Sequence, residues 1–276
     1  MIDAHQHFWD LGVRDQEWIT EAMLPLRRNF GVEDLRAVAP DVTATVLVQT
    51  VTVPDETPEF LALAEDSDLV GAVVGWVDLT TPDVGDRIKS YLDGHGGSWL
   101  RGIRHQVQGE PDPRWLCRSD VRRGLSAVSD NGLVYELLTL PHQIPAAVET
   151  VSALPSTRFV LDHCSKPPIA SGQLFPWAED IRILALNENV SCKLSGLVTE
   201  ADWTQWTAEE LRPYFDVVLE AFGPERLMFG SDWPVCLLAA DYPEVVAAAR
   251  ALTASLSAAE QHAIFTASAA RTYRIA

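Results

Sequence analysis

A chain of 276 residues that is 47% hydrophobic can bury a large core, so its length accommodates either two small domains or one α/β barrel. Its 39 acidic residues outnumber the 21 basic ones, and the formal charge of -18 makes nucleic acid and anionic membranes poor partners. No apolar run approaches the roughly 18 residues of a membrane helix, and the amino terminus lacks the pattern of a signal peptide. We therefore expect a cytoplasmic protein that acts on a small molecule.

Strand and helix patterns alternate along the chain. Apolar runs typical of buried parallel strands begin at Ile2 and recur at 43–49, 69–77, 100–106, 132–138, 157–164, 190–195 and 226–232. Helical patterns lie between them at 56–65, 83–92, 119–130, 142–153, 177–188 and 208–222, and a last helical region starts at Asp241. Eight such units predict a single, distorted (β/α)8 TIM-like barrel over residues 1–276, with a doubly wound open sheet as the alternative.

The loop lengths indicate which end of this barrel carries function. Segments that follow strands are long and rich in Pro, Trp and charge, at 8–30, 107–118, 165–176 and 196–207, whereas segments that lead back into strands are short. Active sites of β/α barrels lie at the carboxyl ends of the strands, so we expect the site among these long loops.

The first and last strands offer the best candidates for a metal site. His5 and His7 are separated by one residue, and in a strand this spacing points both imidazoles to the same side, where they could hold one metal ion. The alternative is an ordinary polar strand end. Asp232 ends the last apolar strand just before Pro234, which indicates either a functional carboxylate or a turn former.

Strand parity narrows the candidates in the middle of the chain. Arg104 and His105 cannot both point inward while the chain is still extended, so one of them should face a helix or a loop. Asp162 and His163 diverge in the same way, and we favour His163 because it lies nearer the strand exit. Glu136 sits in an apolar strand and must be either paired inside the barrel or functional.

Charged and aromatic side chains near the strand exits are candidates for substrate contacts. Arg104 and Lys166 could anchor substrate oxygens, although ion pairs at the barrel rim explain them equally well. Tryptophans at strand exits could stack on a sugar ring or simply pack. The complete set of predicted substrate contacts is Arg104, His105, Lys166, Trp9, Trp76 and Trp233.

Five motifs together carry a family resemblance that spans the chain. They are DAHQHFW at 3–9, RGIRHQ at 101–106, DHCSKPP at 162–168, KLSGL at 193–197 and GSDWP at 230–234. Together they resemble the amidohydrolase superfamily, and within it the amidohydrolase-2 branch that includes sugar lactonases such as L-fuconolactonase and L-rhamnonolactonase. The resemblance implies a TIM-like barrel that hydrolyses lactones, with His5 and His7 at the metal position, Asp232 as general base and His163 beside the scissile carbonyl.

The metal set departs from the binuclear pattern of that superfamily. The fourth strand shows no bridging lysine or glutamate, and the fifth strand offers Glu136 in place of a histidine. We therefore expect one divalent ion, with zinc as the expected metal, held by His5, His7 and Asp232 with Glu136 as a candidate fourth ligand. Some relatives in this branch work without metal, so the resemblance leaves the requirement open.

Three functions are compatible with these features. The leading one is a hydrolase of a sugar lactone or a related carboxylic lactone. The alternatives are a metal-dependent decarboxylase on the same scaffold and a catalytically inactive binding protein. The sequence selects neither the lactone nor the number of subunits, and a homo-oligomer is compatible with each function.

Overall fold

Eight parallel strands, hydrogen-bonded in sequence order, form one sheet in the computed structural model, which describes residues 1–276. The strands are β1 (Ile2–Gln6), β2 (Ala44–Val48), β3 (Val70–Gly75), β4 (Leu100–His105), β5 (Val134–Leu137), β6 (Arg158–Leu161), β7 (Val190–Leu194) and β8 (Leu227–Phe229). Just beyond β8 the Asp232 amide donates to the carbonyl of His5, and the His7 amide donates to the carbonyl of Trp233, both at 2.8 Å. The predicted (β/α)8 barrel is therefore confirmed.

Helices follow the strands and surround the barrel. The main ones are α1 (Val32–Val38), α2 (Glu56–Asp66), α3 (Val84–Asp93), α4 (Ser119–Asp130), α5 (Ile144–Ala153), α6 (Trp177–Ala185), α7 (Leu197–Glu200), α8 (Ala208–Phe222) and α9 (Tyr242–Leu252). Two shorter helices, α10 (Ala258–His262) and α11 (Ser268–Tyr273), end the chain. No helix is both long and apolar enough to cross a lipid bilayer.

The predicted strands are all present, but two of them end three residues earlier than expected. β6 stops at Leu161 rather than at 164, and β8 stops at Phe229 rather than at 232. In both places the residues that follow remain buried while the backbone turns into the barrel mouth. Burial therefore continues past the point where extended geometry stops, and these early exits matter for the site.

The interior of the barrel is apolar toward the amino-terminal ends of the strands and charged toward their carboxyl ends. Side chains from six strands and the last helix form the apolar layer: Ile2, Ala4, Val46, Val48, Ala72, Val74, Val134, Val160, Met228, Ala269 and Tyr273. A separate apolar core lies between the strands and the surrounding helices. The buried polar side chains Glu136, Lys193 and Asp162 lie inside the barrel, and the mouth opens beyond them.

Candidate active site

A cavity of about 420 Å³ opens among the long loops at the carboxyl ends of the strands, as the loop lengths predict. The side chains that line it come from most of the strand exits: His7, Trp18, Met23, Thr50, Arg104, Gln106, Gln108, Leu138, His163, Lys166, Thr199, Glu200, Trp203, Asp232, Val235 and Leu238.

His5, His7 and Asp232 meet at the inner end of this cavity. The pairing register of β1 shifts between Asp3 and Gln6, and both imidazoles reach the same centre. His7 Nδ1 lies 2.7 Å from the carbonyl oxygen of Val48, which can only accept, so this nitrogen carries the proton and Nε2 has a free lone pair. The two Nε2 atoms are 3.1 Å apart, and Asp232 Oδ1 lies 3.7 Å from that of His5 and 3.5 Å from that of His7.

The donor set fits a single divalent metal. Nitrogen and oxygen ligands of tetrahedral zinc lie about 3.3–3.5 Å from one another, close to the separations seen here. The Val48 carbonyl orients His7 as an outer hydrogen-bond partner orients a metal ligand. A second group, His5 with Asp162 and His163, is also compact, but both carboxylate oxygens of Asp162 already face cations. The first group, His5 with His7 and Asp232, could therefore hold the ion.

A left-handed turn after β6 brings His163 into the site. His163, Cys164, Ser165 and Lys166 all have positive φ, between 51° and 56°. Because the chain has left the strand at Leu161, the parity rule no longer applies, and both Asp162 and His163 reach the centre. The expectation that these two side chains diverge was wrong for that reason. His163 Nδ1 lies 2.9 Å from Ser195 Oγ, and its Nε2 lies 3.9 Å from Asp232 Oδ1.

A buried ion network lies directly beneath the histidines. Lys193 Nζ is 2.6 Å from Glu136, 3.2 Å from Asp162 and 3.1 Å from His5 Nδ1. Glu136 also accepts a hydrogen bond from the hydroxyl of Tyr273. Glu136 does not belong to either group that could hold a metal. Its predicted role as a fourth ligand is therefore not supported by the geometry, because the lysine neutralises this carboxylate deeper in the barrel.

Burial and the neighbouring charges set the protonation of the site. Burial lowers the pKa of His7, and it lowers the pKa of His163 to about 4, so both rings are neutral at pH 7. Burial alone would raise the pKa of Asp232, but the neighbouring imidazoles of His163 and His7 hold it below its usual range. Asp232 is therefore an ionised carboxylate between neutral imidazoles.

Arg104 and His105 point in opposite directions, as parity predicts. Arg104 turns inward, where it donates to the Gln49 side chain at 3.0 Å and to Asp162 at 3.0 Å. His105 does not line the cavity, so its prediction as a substrate contact is corrected. Its Nε2 bonds Glu110 at 2.8 Å, and its ring stacks on Trp115 with centroids 4.4 Å apart.

The three predicted tryptophans also lie outside the cavity lining, because each is held by packing or by a hydrogen bond elsewhere. Trp9 donates to the carbonyl of Arg28 at 2.8 Å, and Trp76 donates to His105 Nδ1 at 3.0 Å. Trp233 is buried against Phe8 and Phe30. Two other tryptophans, Trp18 and Trp203, line the cavity instead.

Lys166 does line the cavity, where it pairs with Glu200 at 3.2 Å. Glu200 ends the short helix α7 inside the predicted loop 196–207, and a helix this short has no periodic sequence pattern from which Glu200 could be predicted as a site residue. Gln106 and Gln108 were missed as well, although they lie one and three residues after β4 and could have been found by extending the search three residues past each strand.

Comparisons with known proteins identify relatives of this chain. A family model described as Amidohydrolase matches residues 2–275. A protein named L-fucono-1,5-lactonase from Burkholderia multivorans is 41% identical over 99% of this chain and 96% of its own length. A protein of the same name from Burkholderia ambifaria is 37% identical over 87% of this chain and 82% of its own. The crystal structure of an amidohydrolase from B. multivorans with bound Zn superimposes with a TM-score of 0.94 at 39% identity, over 100% of this chain and 99% of that one.

Proposed function

The chain belongs to the amidohydrolase family, and from this premise we propose that it is a hydrolase that opens the ring ester of a sugar lactone. The observation that carries the proposal is the convergence of ionised Asp232 with neutral His163, His5 and His7 at the inner end of one cavity. The names of the two Burkholderia relatives support a 1,5-lactone of a sugar acid as the substrate.

Lactone opening needs a nucleophilic water, a stabilised oxyanion and a proton for the leaving alkoxide. Asp232 accepts a proton from water as the water oxygen bonds to the carbonyl carbon. The Ser195 hydroxyl can donate to His163 Nδ1, which keeps the ring proton on Nε2, facing Asp232 and the cavity, where it can donate to the carbonyl oxygen. When the ring C–O bond breaks, protonated Asp232 returns its proton to the departing oxygen.

A divalent metal, which we propose to be zinc, would be held by His5, His7 and Asp232. Bound there, it would supply Lewis-acid polarisation of the carbonyl and acidify a water. The Zn-bound neighbour of similar fold supports this ion. Hydrolysis measured before and after chelation tests whether the activity requires this metal.

The charge of the cavity favours a neutral substrate over a carboxylate. Two cationic side chains line the cavity, Arg104 and Lys166, and each already faces an internal carboxylate. A decarboxylase needs a cation whose charge is not already balanced by a protein carboxylate, so this arrangement counts against the decarboxylase alternative. An inactive binding protein would have no need to keep Asp232 ionised beside His163.

We further propose that the protein works in the cytoplasm on a small-molecule lactone, without nucleic acid or membrane partners. The four cysteines are unpaired, which supports a reducing compartment. The number of subunits is open to direct measurement by light scattering, and a homo-oligomer is compatible with this proposal.

The test is acid release from a panel of aldonolactones, followed with a pH indicator, using protein before and after chelation. We expect hydrolysis of at least one sugar lactone. Activity that disappears on chelation and returns with zinc would support the metal role of His5 and His7. Activity indifferent to confirmed metal removal would make them substrate contacts, and no acid release from any lactone would refute the proposed function.

A further inference from the structure

One oppositely charged pair faces the substrate cavity from the loops after β6 and β7. Lys166 Nζ lies 3.2 Å from Glu200 Oε1, and the two side chains are 25% and 23% exposed. Both residues line the cavity that contains Asp232. The pair therefore remains accessible to a bound ligand, unlike the buried network around Lys193.

We propose that Lys166 and Glu200 form the subsite that recognises adjacent hydroxyl groups of the sugar ring, an inference that rests on the proposed lactonase function. An ammonium group offers three donors, and the contact with Glu200 uses one of them. The carboxylate has a second oxygen that accepts. Two neighbouring hydroxyls, each both donor and acceptor, can bond to the two members of such a pair at once, whereas a carboxylate or an alkyl group cannot.

The backbone fixes both members of the pair. Lys166 ends the left-handed turn that also carries His163, and its amide donates to the His163 carbonyl at 2.8 Å. Glu200 ends α7, which begins at Leu197 directly after Gly196. Lys166 and the histidine proposed to bind the carbonyl are therefore held on one turn, which sets the distance between ring hydroxyls and ester, and Glu200 reaches Lys166 from α7.

Aromatic and aliphatic side chains also line this cavity. Trp203 follows Glu200 by three residues, and its indole nitrogen donates to the carbonyl of Thr199 at 2.8 Å, which holds the ring against the cavity. An aromatic face beside a charged pair suits the apolar face and polar edge of a sugar. Leu138, Val235 and Leu238 offer no polar side-chain atoms elsewhere in the lining.

The experiment compares two ring esters that differ in hydroxyls. Steady-state hydrolysis is measured for the best aldonolactone of the panel and for δ-valerolactone, which has the same six-membered ester without hydroxyl groups. For Glu200→Gln we expect kcat/KM on the aldonolactone to fall about 10- to 100-fold, mainly through KM, with less than a twofold change on δ-valerolactone. Lys166→Met should show the same selectivity. Glu220→Gln, which removes the exposed partner of Arg182, is the matched control and should change neither substrate.

A second readout does not depend on turnover of the simple lactone. A 1,5-anhydroalditol carries the ring hydroxyls without the ester, and its inhibition constant should weaken about 10-fold or more in Glu200→Gln. Equal losses on both lactones, or an unchanged inhibition constant, would overturn the hydroxyl subsite while leaving the lactonase intact. A wild-type protein that hydrolyses no lactone would instead refute the proposed function, and the subsite with it.

Discussion

Removal of the buried Lys193 ammonium is the sharpest test of how the site is held together. The side chain is fully buried, and its nitrogen lies 2.6 Å from Glu136 and 3.2 Å from Asp162. Lys193→Met keeps the length and the apolar stem but leaves two carboxylates facing each other without their shared cation. Burial and Asp162 already raise the pKa of Glu136 with the lysine present.

The expected loss is large because the remaining charges stay buried. Breaking a buried ion pair from one side typically costs about 3–5 kcal/mol of unfolding free energy. An exposed pair such as Lys89 with Asp93, at 68% and 66% exposure, contributes less than about 1 kcal/mol, so Lys89→Met is the control. The pH dependence of the loss follows Glu136. Its folded pKa is raised to about 7 with the lysine present and is raised further in the variant, so below about 7 both folded proteins hold it protonated and the loss is smaller. The loss grows as pH rises above about 7 toward the folded pKa of the variant.

Urea denaturation at about pH 8.5 and about pH 6 measures these free energies on either side of the folded pKa of Glu136. We expect Lys193→Met to lose several kcal/mol at the higher pH and less at the lower one. Adding Glu136→Gln to Lys193→Met should recover much of the loss, because the amide no longer carries the unpaired charge. A single-variant loss no larger than that of Lys89→Met, or no recovery in the double variant, would contradict the network described here.

Three further changes test individual contacts. Ser195→Ala removes the bond to His163 Nδ1 and should lower kcat about 10-fold with little change in KM; an unchanged kcat would count against the bond. Gly196→Ala places a Cβ 2.7 Å from that nitrogen at φ +67°, so steady-state assays should show a larger loss of kcat, and full activity would contradict the close approach. Burial lowers the pKa of His105 below 6.5, so its stabilising contribution is complete above that value and is lost as pH falls through the lowered pKa. The fall in Tm between pH 7 and pH 5 should therefore be smaller in His105→Gln, and an identical fall would refute this assignment.

The barrel could be predicted because its signals are periodic and local. Runs of apolar residues marked all eight strands, and the long segments after them marked the end of the barrel that carries the cavity. His5 and His7 could be placed because both lie at one strand end, where spacing decides direction. Asp232 was predicted at the end of the last apolar run, although β8 itself ends three residues earlier, at Phe229.

The errors came from places where backbone geometry is not periodic. The alternation of side chains along a strand predicts that Asp162 and His163 point to opposite sides only while the strand continues. The strand ends at Leu161, and a left-handed turn follows it. Glu136 could be predicted to be either paired or functional. Its partner Lys193 lies 57 residues away in the sequence, so the contact between the two side chains could not be predicted. The orientation of a tryptophan near a strand exit depends on packing, so Trp76 and the other two predicted tryptophans contact neighbouring groups and do not line the cavity.

The most direct test of the central claim is the turnover of Asp232→Asn on the best aldonolactone of the panel, with folding checked by circular dichroism. The amide keeps the shape of the side chain but cannot accept a proton from water. Asp216→Asn, a 58% exposed side chain on α8, serves as the matched control. The proposed mechanism predicts a fall in kcat of at least about 100-fold for Asp232→Asn and none for the control. Turnover by Asp232→Asn within a few-fold of wild type would contradict it.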